Sequence, residues 1–283
     1  ERTKTLNIGV ETELWHRVAL SLEYYNKRSY DLLGTIQLDP TLGFDSGYIN
    51  AANMRNRGFE MQLNAEALQL KDFRWLMKFV FGYNKNKITR NNVSDSNPAY
   101  NRTHGWSEFV EGYPREALWS YRWAGLDENG NPQTYDAEGN KTDTPVAESI
   151  ECNGSYRPKY SGSLSTDFHY KNLTLMFSFI YNFGHVFRIA YPTMDTGSVA
   201  KGSAANLSAF VSKRWMKPGD EAITDIPAIR TKDYSSNDRA SLAAYSSNSV
   251  RKGDFIRLRE ITLNYELPQR LVKKSPFTRV SLT

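Results

Sequence analysis

The chain has 283 residues but one cysteine, Cys152, so no disulfide can form within it, and a lone thiol is no metal or redox motif. It has no uninterrupted apolar run of about 18 residues, which excludes a transmembrane helix. The net charge of +5 comes from lysines and arginines scattered among acids, without the basic stripe that indicates nucleic-acid binding. The sequence therefore predicts neither an internal disulfide nor a membrane-spanning helix, and it gives little support to a thiol-based metal or redox site or to nucleic-acid binding.

Catalytic and metal-binding motifs are also missing. The histidines lack ligand spacing, and neither a Gly-x-Ser-x-Gly turn nor a phosphate loop occurs. The run that begins at Asp127 resembles a calcium loop, but Pro132 stands at its sixth position, where such loops need glycine. A turn-rich surface excursion is the better interpretation. The sequence therefore predicts no enzyme, no cofactor and no metal site.

Long alternating segments are what the chain does have. In residues 73–83 every odd position is large and apolar or aromatic, and residues 173–183 repeat this pattern. Period two places such residues on one face of a strand. Strands of soluble domains usually have about six residues, whereas a tilted membrane-spanning strand needs about 9 to 11. The mean hydropathy of −0.60 fits, because inward and outward residues of a barrel average out. We therefore predict an all-β fold, an antiparallel segment of a transmembrane β-barrel.

The connections support this fold because short turns alternate with long excursions. We predict strands at 6–15, 18–32, 58–67, 73–89, 160–170, 173–183 and 255–267, with an eighth starting near 277. Long loops are then expected at about 33–56, 90–159 and 184–253. Short periplasmic turns and long extracellular loops are typical of bacterial outer-membrane barrels. Whether 90–159 contains a small β subdomain of its own stays open.

Alternation also assigns residues to faces. The residues predicted to face the lumen are Glu60, Gln62, Asn64, Glu66, Asp167 and His169. Those predicted for the aromatic girdles at the membrane surfaces are Trp75, Tyr83, Tyr181 and Tyr265. The seventh strand breaks the pattern, since Arg257 and Arg259 share the parity of Ile261 and Leu263. Either both arginines stand beyond the apolar band or a β-bulge shifts the phase.

Aromatic residues of the 90–159 loop are candidates for contact with cargo or with a lid: Trp106, Tyr113, Trp119, Tyr121 and Trp123. Aromatic faces stack on sugar rings and pack against peptides. The alternative is that these rings pack the loop against itself.

Several segments carry a family resemblance, each weak alone but in consistent order along nearly the whole chain. They are residues 7–11, 23–33, 50–60, 158–164, 214–220 and 254–265. In these segments the chain resembles the C-terminal barrel region of SusC/RagA-like TonB-dependent transporters. The expected assignment is that residues 1–283 form part of the barrel domain, with the plug domain and signal peptide outside this chain.

The resemblance implies a barrel of about 22 strands in the outer membrane of a Gram-negative bacterium. It also implies a plug in the lumen, energy from TonB, a SusD-like surface lipoprotein as lid, and an oligosaccharide or peptide cargo. Two alternatives stay open, a lidless receptor for siderophore or cobalamin and a soluble glycan-binding β-sandwich.

Overall fold

A computed structural model describes residues 1–37, 41, 43, 46–93, 98–104, 109–144, 146–189, 209–229, 237–273 and 276–283. Its strands are β1 (Arg2–Leu14), β2 (Val18–Gln37), β3 (Ser46–Gln69), β4 (Phe73–Asn91), β5 (Ala117–Tyr121), β6 (Trp123–Leu126), β7 (Pro132–Tyr135), β8 (Lys141–Thr142), β9 (Ile150–Ser155), β10 (Tyr160–Tyr170), β11 (Leu173–Phe183), β12 (Val186–Arg188), β13 (Val250–Lys252), β14 (Phe255–Glu266) and β15 (Ser281–Leu282). Its α-helices are α1 (Pro98–Thr103), α2 (Asn237–Tyr245) and α3 (Gln269–Val272).

Eight strands form one antiparallel sheet in the order β1-β2-β3-β4-β10-β11-β14-β15. The predicted strands are all present, and β10 and β11 have the predicted bounds. Each neighbour in the order pairs antiparallel, so the short turns lie at one end of the sheet and the long connections at the other. The prediction of an antiparallel β-barrel segment is confirmed, with β1 and β15 as the two edges of an open sheet within this chain.

The predicted loop at 33–56 is wrong over most of its length. Strands β2 and β3 stay paired up to Gln37 and Ser46, which leaves only a short connection between them. The ladder passes two register shifts next to Leu32, where Asp31 takes a positive φ of 59° and its backbone N–H donates to Asn53 Oδ1 at 3.1 Å. A bulge of this kind lets a strand continue past residues that usually end one.

A β-bulge also explains the irregular seventh strand, β14. Ser178 of β11 pairs with Glu260, but Phe179 pairs with Leu258, so Arg259 is the extra residue. Beyond the bulge the parity changes, and Leu258 joins Ile261 on the apolar face. Arg257 thereby moves to the opposite face, opposite Ile180. Of the two explanations, the phase shift is the one that the structure contains.

The two long connections hold ordered structure. Between β4 and β10 there are two small sheets, one of β5 and β9 and one of β6, β7 and β8. Between β11 and β14, β12 pairs with β13, and α2 packs against β5 and β7. The open question about 90–159 is thus answered, because it contains its own small sheets. Within the described ranges, no helix has the length and apolar character needed to span a membrane.

Candidate transport interface

The first functional feature is a continuous apolar face that crosses the large sheet. One ladder row joins Val10, Leu22, Met61 and Phe81 across four strands, and parallel rows continue it on β10, β11 and β14. Near the margin of the sheet, on β14, these side chains are uncovered: Ile261 is 58% and Ile256 68% exposed. An apolar surface of this extent indicates contact with a membrane or another protein.

Aromatic residues mark the limits of this face. Toward the long loops, one row contains Tyr24, Phe59, Tyr83, Tyr160 and Phe183. Toward the short turns, another contains Phe73, Tyr170 and Tyr265. The ten residue steps from Phe73 to Tyr83 correspond to about 25 Å along a tilted strand, which is the height of the apolar band of outer-membrane barrels.

The four girdle candidates divide between these rows and positions just inside them. Tyr83 and Tyr265 lie in the limiting rows. Trp75 lies one row inside, where its Nε1 donates to Thr166 Oγ1 at 2.6 Å. Tyr181 also lies one row inside, and its hydroxyl donates to the Val80 carbonyl at 3.0 Å. Both inner residues therefore satisfy their polar atoms within the sheet.

The opposite face is mostly polar, with a few apolar residues on β4 and β11, and all six predicted lumen residues lie on it: Glu60, Gln62, Asn64 and Glu66 on β3, and Asp167 and His169 on β10. Glu66 and Asp167 flank Leu76 on β4. His169 Nδ1 lies 2.9 Å from Thr174 Oγ1.

Two carboxylates on this polar face have unmet hydrogen-bonding capacity. Glu66 and Asp167 line a cavity of about 440 Å³ near the short turns, together with Asn64 and Lys78. One oxygen of each carboxylate, Glu66 Oε1 and Asp167 Oδ1, is buried and has no hydrogen-bond partner among the described residues. A buried polar atom of this kind needs a donor from water or from another chain segment.

The described parts of the two long loops form one packed unit, which we call the loop module (residues 109–155 and 209–252). Arg188 at the end of β12 holds it together. Its guanidinium donates to the Trp119 carbonyl at 2.6 Å, Ser120 Oγ at 3.2 Å, the Ala244 carbonyl at 3.1 Å and Ser249 Oγ at 3.3 Å. Burial lowers the pKa of Arg188 from its ordinary value, although nearby tyrosines act in the opposite direction.

A second arginine joins α2 to the first excursion. Arg239 is 8% exposed and donates to the Ala228 carbonyl at 2.6 Å, to the Gly130 carbonyl at 3.3 Å and to Asn131 Oδ1 at 3.2 Å. Buried charges are stable only when they are paired or hydrogen-bonded in this way. The loop module is therefore an ordered body at the long-loop end of the sheet.

The run that resembles a calcium loop is used as a turn. Asp127 Oδ1 accepts the backbone N–H groups of Asn129 and Asn131, and Gly130 takes a φ of 73°. Asp136 and Asn140 repeat the arrangement, and although desolvation acts against it, the hydrogen bonds of Asn140 lower the pKa of Asp136. Side-chain to backbone bonds of this kind are typical of aspartate turns. No group of acidic, histidine or cysteine side chains suited to a metal ion occurs among the described residues.

The aromatic residues of the 90–159 loop that were predicted to contact cargo or lid differ from one another in burial. Trp119 is 8% and Tyr121 2% exposed, so both rings pack inside the loop module. Tyr113 is 41% exposed and lies edge-on against Trp119, with 4.6 Å between ring centroids. Trp123 is half-buried, and its Nε1 donates to Asp225 Oδ1 at 3.2 Å. Trp106 lies outside the described residues.

An open sheet with one apolar face, one polar face and its long connections at one end defines a segment of a β-barrel wall. The family model described as TonB dependent receptor-like, beta-barrel matches residues 1–245. The chain therefore belongs to this family, whose members are receptors and transporters rather than enzymes.

Named relatives agree with this assignment. TonB-dependent receptor P3 of Formosa agariphila is 24% identical over the whole of this chain, which spans 29% of that protein. TonB-dependent receptor SusC of Bacteroides thetaiotaomicron is 26% identical over 63% of this chain and 19% of its own length. The RagAB peptide transporter structure contains a chain with a TM-score of 0.73 at 23% identity, over 99% of this chain and 30% of that one. The chain thus spans less than a third of these relatives, and it is a SusC/RagA-like barrel fragment.

Proposed function

We propose that this chain forms part of the barrel of an outer-membrane transporter that imports an oligosaccharide or a peptide, driven by TonB. The observation that carries the proposal is the continuous apolar face, limited by aromatic rows about 25 Å apart and backed by a polar face. A β-sandwich would cover its apolar face with a second sheet. Here Ile8, Ile261 and Ile256 remain more than half exposed, which favours lipid as the missing layer.

The polar face would then line the lumen, where a plug domain sits in such transporters. Glu66 and Asp167 each present a buried carboxylate oxygen that has no hydrogen-bond partner among the residues the structure describes. We infer that donors on the plug bind these oxygens near the periplasmic end of the barrel. Breaking a few such hydrogen bonds, rather than an apolar interface, would let the plug rearrange when TonB pulls on it.

The loop module would form the extracellular surface that meets a SusD-like lipoprotein and the cargo. An ordered platform suits this task because binding then costs little loop entropy. Of the aromatic residues predicted from the sequence, Tyr113 and Trp123 reach the surface of the loop module, and we assign to them the contact with the lipoprotein or the cargo. Trp119 and Tyr121 would support that surface from inside.

The test is to isolate the native full-length protein from outer membranes in mild detergent and to identify what copurifies. A stoichiometric lipoprotein subunit is the expected result. A barrel that purifies alone would favour the lidless receptor for siderophore or cobalamin. A protein recovered in solution without detergent would contradict the membrane assignment.

A further inference from the structure

The loop module contains a cavity of about 530 Å³, which we call the module cavity. Its walls come from the segments 210–214, 220–226 and 248–251, and Ile189 next to β12 completes the lining. Ligand-binding pockets usually have volumes of about 300 to 1,000 Å³. The module cavity is therefore large enough to hold part of a ligand.

Hydrogen bonds within the loop module hold these walls in place. Thr224 Oγ1 donates to the Lys213 carbonyl at 2.6 Å, which joins the second segment to the first. Asp220 Oδ2 accepts the backbone N–H groups of Met216 and Lys217 at 3.0 and 3.1 Å. A site whose walls are already ordered loses little conformational entropy when a ligand binds.

Part of the lining is apolar. Ile189, Ile223 and Ile226 contribute to it together with Phe210. Ile226 is 8% exposed, whereas Ile223 is 83% and Phe210 49% exposed, so uncovered apolar surface is present at the cavity. Among the described residues, no tryptophan or tyrosine lines the cavity as a flat platform for a sugar ring. Branched aliphatic side chains of this kind suit an apolar side chain of the ligand.

The lining also carries more positive than negative charge. Lys213, Arg214 and Arg251 line the cavity, against Asp220 and Asp225. The described ion pairs include none of these three cations. Within the described residues, the side-chain hydrogen bonds of Arg214 and Arg251 run from Nη1 to backbone carbonyls. The other guanidinium donors of both arginines can therefore bind an anionic group.

The position of the cavity connects it to the proposed contact surface. Asp225, which lines the cavity, accepts a hydrogen bond from Trp123 Nε1 at 3.2 Å. Trp123 is one of the two aromatic residues to which we assign contact with the lipoprotein or the cargo. A cargo molecule that touches Trp123 is thus next to the module cavity.

Charge and apolar surface together select the ligand. Guanidinium groups bind carboxylates through paired hydrogen bonds, and a lysine adds a point charge. A carboxylate beside an apolar side chain is what the C-terminal residue of an apolar-ended peptide presents. A neutral oligosaccharide has no anion for Lys213 and Arg214, and an acidic sugar has no apolar side chain for Ile223.

We propose that the module cavity binds the C-terminal residue of a peptide cargo. Its carboxylate contacts Lys213 and Arg214, and its apolar side chain packs against Ile223 and Phe210. Capture of a C-terminal carboxylate is a recurring mode of peptide recognition. The inference rests on the proposed function and deepens it, because it selects a peptide rather than an oligosaccharide as the cargo.

The first test needs no variant. The full-length protein, with any subunit that copurifies, is titrated in mild detergent with the peptide Gly-Gly-Gly-Leu-Leu and with its C-terminal amide, and binding is followed by calorimetry. We expect the free acid to bind at least about tenfold more tightly than the amide, because charge-assisted hydrogen bonds to the carboxylate are lost in the amide. Equal binding of the two peptides, or no binding of either, would overturn the proposal.

Competition tests the choice of peptide. Maltopentaose and an oligogalacturonate of the same length are added to the complex with the free-acid peptide. Neither sugar should displace the peptide. Displacement by the galacturonate would show that the cavity binds an acidic glycan and would overturn the assignment of a peptide.

Variants locate the site. The double variant Lys213→Gln, Arg214→Gln should bind acid and amide equally. The control Lys141→Gln, Arg157→Gln removes the same residue types from exposed positions outside the cavity and should keep the preference for the acid. Ile223→Ser should weaken both peptides alike, by about three- to tenfold, because only apolar contact is lost.

The outcomes separate the inference from the proposed function. A Lys213 and Arg214 variant that keeps the preference for the free acid would refute the module cavity as the site. A membrane-embedded protein that shows no such preference would refute this inference alone. A protein recovered in solution without detergent would refute the proposed function itself.

Discussion

Tyr181 shows how a single residue closes a gap in the sheet. Its ring covers Gly162 on the neighbouring strand, and its hydroxyl donates to the Val80 carbonyl at 3.0 Å. A Cβ at Gly162 would collide with the Tyr181 hydroxyl and with Val80 O. An aromatic residue placed over a strand glycine supplies the packing that the glycine lacks.

We therefore predict that Tyr181→Phe destabilises the full-length barrel by about 0.5 to 1.5 kcal/mol, because one hydrogen bond is lost. Gly162→Val should cost more, about 1 to 3 kcal/mol, because the added side chain overpacks the site. Heat-induced unfolding in detergent, followed by gel mobility, measures both. Tyr83→Phe is the control, since the described residues give its hydroxyl no partner; an equal loss there would contradict the account.

The thiol of Cys152 reports on the packing of the loop module. Burial raises the pKa of this thiol above its ordinary value, although a backbone hydrogen bond of Gly154 and the charge of Lys159 act in the opposite direction. A raised pKa leaves less thiolate at pH 8, and the thiolate is the reactive form.

Maleimide labelling of Cys152 at pH 8 should accordingly be at least about tenfold slower than labelling of a cysteine at an open position, and should accelerate as the pH rises toward the raised pKa. The double variant Cys152→Ser, Glu138→Cys supplies the comparison, since Glu138 is exposed in a turn of the same module. Equal rates would mean that the module is loosely packed.

At the scale of a strand, the bulge in β14 controls which side chains meet the apolar face. Arg259 is the extra residue between Leu258, opposite Phe179, and Glu260, opposite Ser178. Removing Arg259 would leave a regular ladder with every face assignment unchanged. Removing Leu258 would instead place Arg259 opposite Phe179 on the apolar face.

Deletion of Arg259 should thus be tolerated, whereas deletion of Leu258 should cost about 2 to 4 kcal/mol, as arginine does on the lipid face of a barrel. The amount of heat-modifiable barrel recovered from outer membranes measures the difference. Equal recovery of the two one-residue deletions would contradict the assignment of the bulge.

Arg188 has a similar role in the loop module, because four hydrogen bonds join it to β5, to the last turn of α2 and to Ser249 after that helix. Arg188→Ala leaves these acceptors unsatisfied and should destabilise the module by about 2 to 4 kcal/mol. Arg188→Lys should fail as well, since an ammonium group lacks the planar fork that reaches several acceptors.

Proteinase K added to intact cells checks this prediction. Cleavage within 184–253 should appear in the Arg188 variants while the barrel strands stay protected. Arg251→Ala is the control, because Arg251 is exposed and, among the described residues, its guanidinium donates to the carbonyls of the nearby Asn248 and Val250. Cleavage in the control, or protection of Arg188→Ala, would disprove the anchoring role.

Over the whole molecule, local sequence patterns predicted the strands of the large sheet, whereas the structure of the loop module depends on contacts between residues far apart in the sequence. Alternation along residues 160–170 and 173–183 gave the observed strand bounds, since period two depends only on neighbouring residues. The loop module could not be predicted, because Arg188 bonds to acceptors 56 to 69 residues away. Arg28, Arg55 and Lys87 likewise come together only through strand register, since they are far apart in the sequence and become neighbours when β2, β3 and β4 pair.

Two further features were harder to predict: the bulge in β14, which the sequence left unresolved, and the extension of β2 and β3, which it misassigned. The change of parity between Leu258 and Ile261 is the mark of a bulge, although sequence alone also allowed arginines beyond the apolar band. The extension of β2 and β3 was hidden by residues such as Gly34 and Asn50, which are uncommon in strands.

The central claim is that alternate residues along each strand of this sheet face two different environments, lipid on one side and the lumen of the barrel on the other. Spin labels placed singly at residues 74–81 of the full-length protein in vesicles, in a Cys152→Ser background, measure it through collisions with oxygen and with a water-soluble nickel complex. The account predicts that labels at Trp75, Met77, Phe79 and Phe81 favour oxygen, and that labels at the even positions between them favour nickel. Uniform accessibility along the strand, or a preference for nickel at the odd positions, would contradict it.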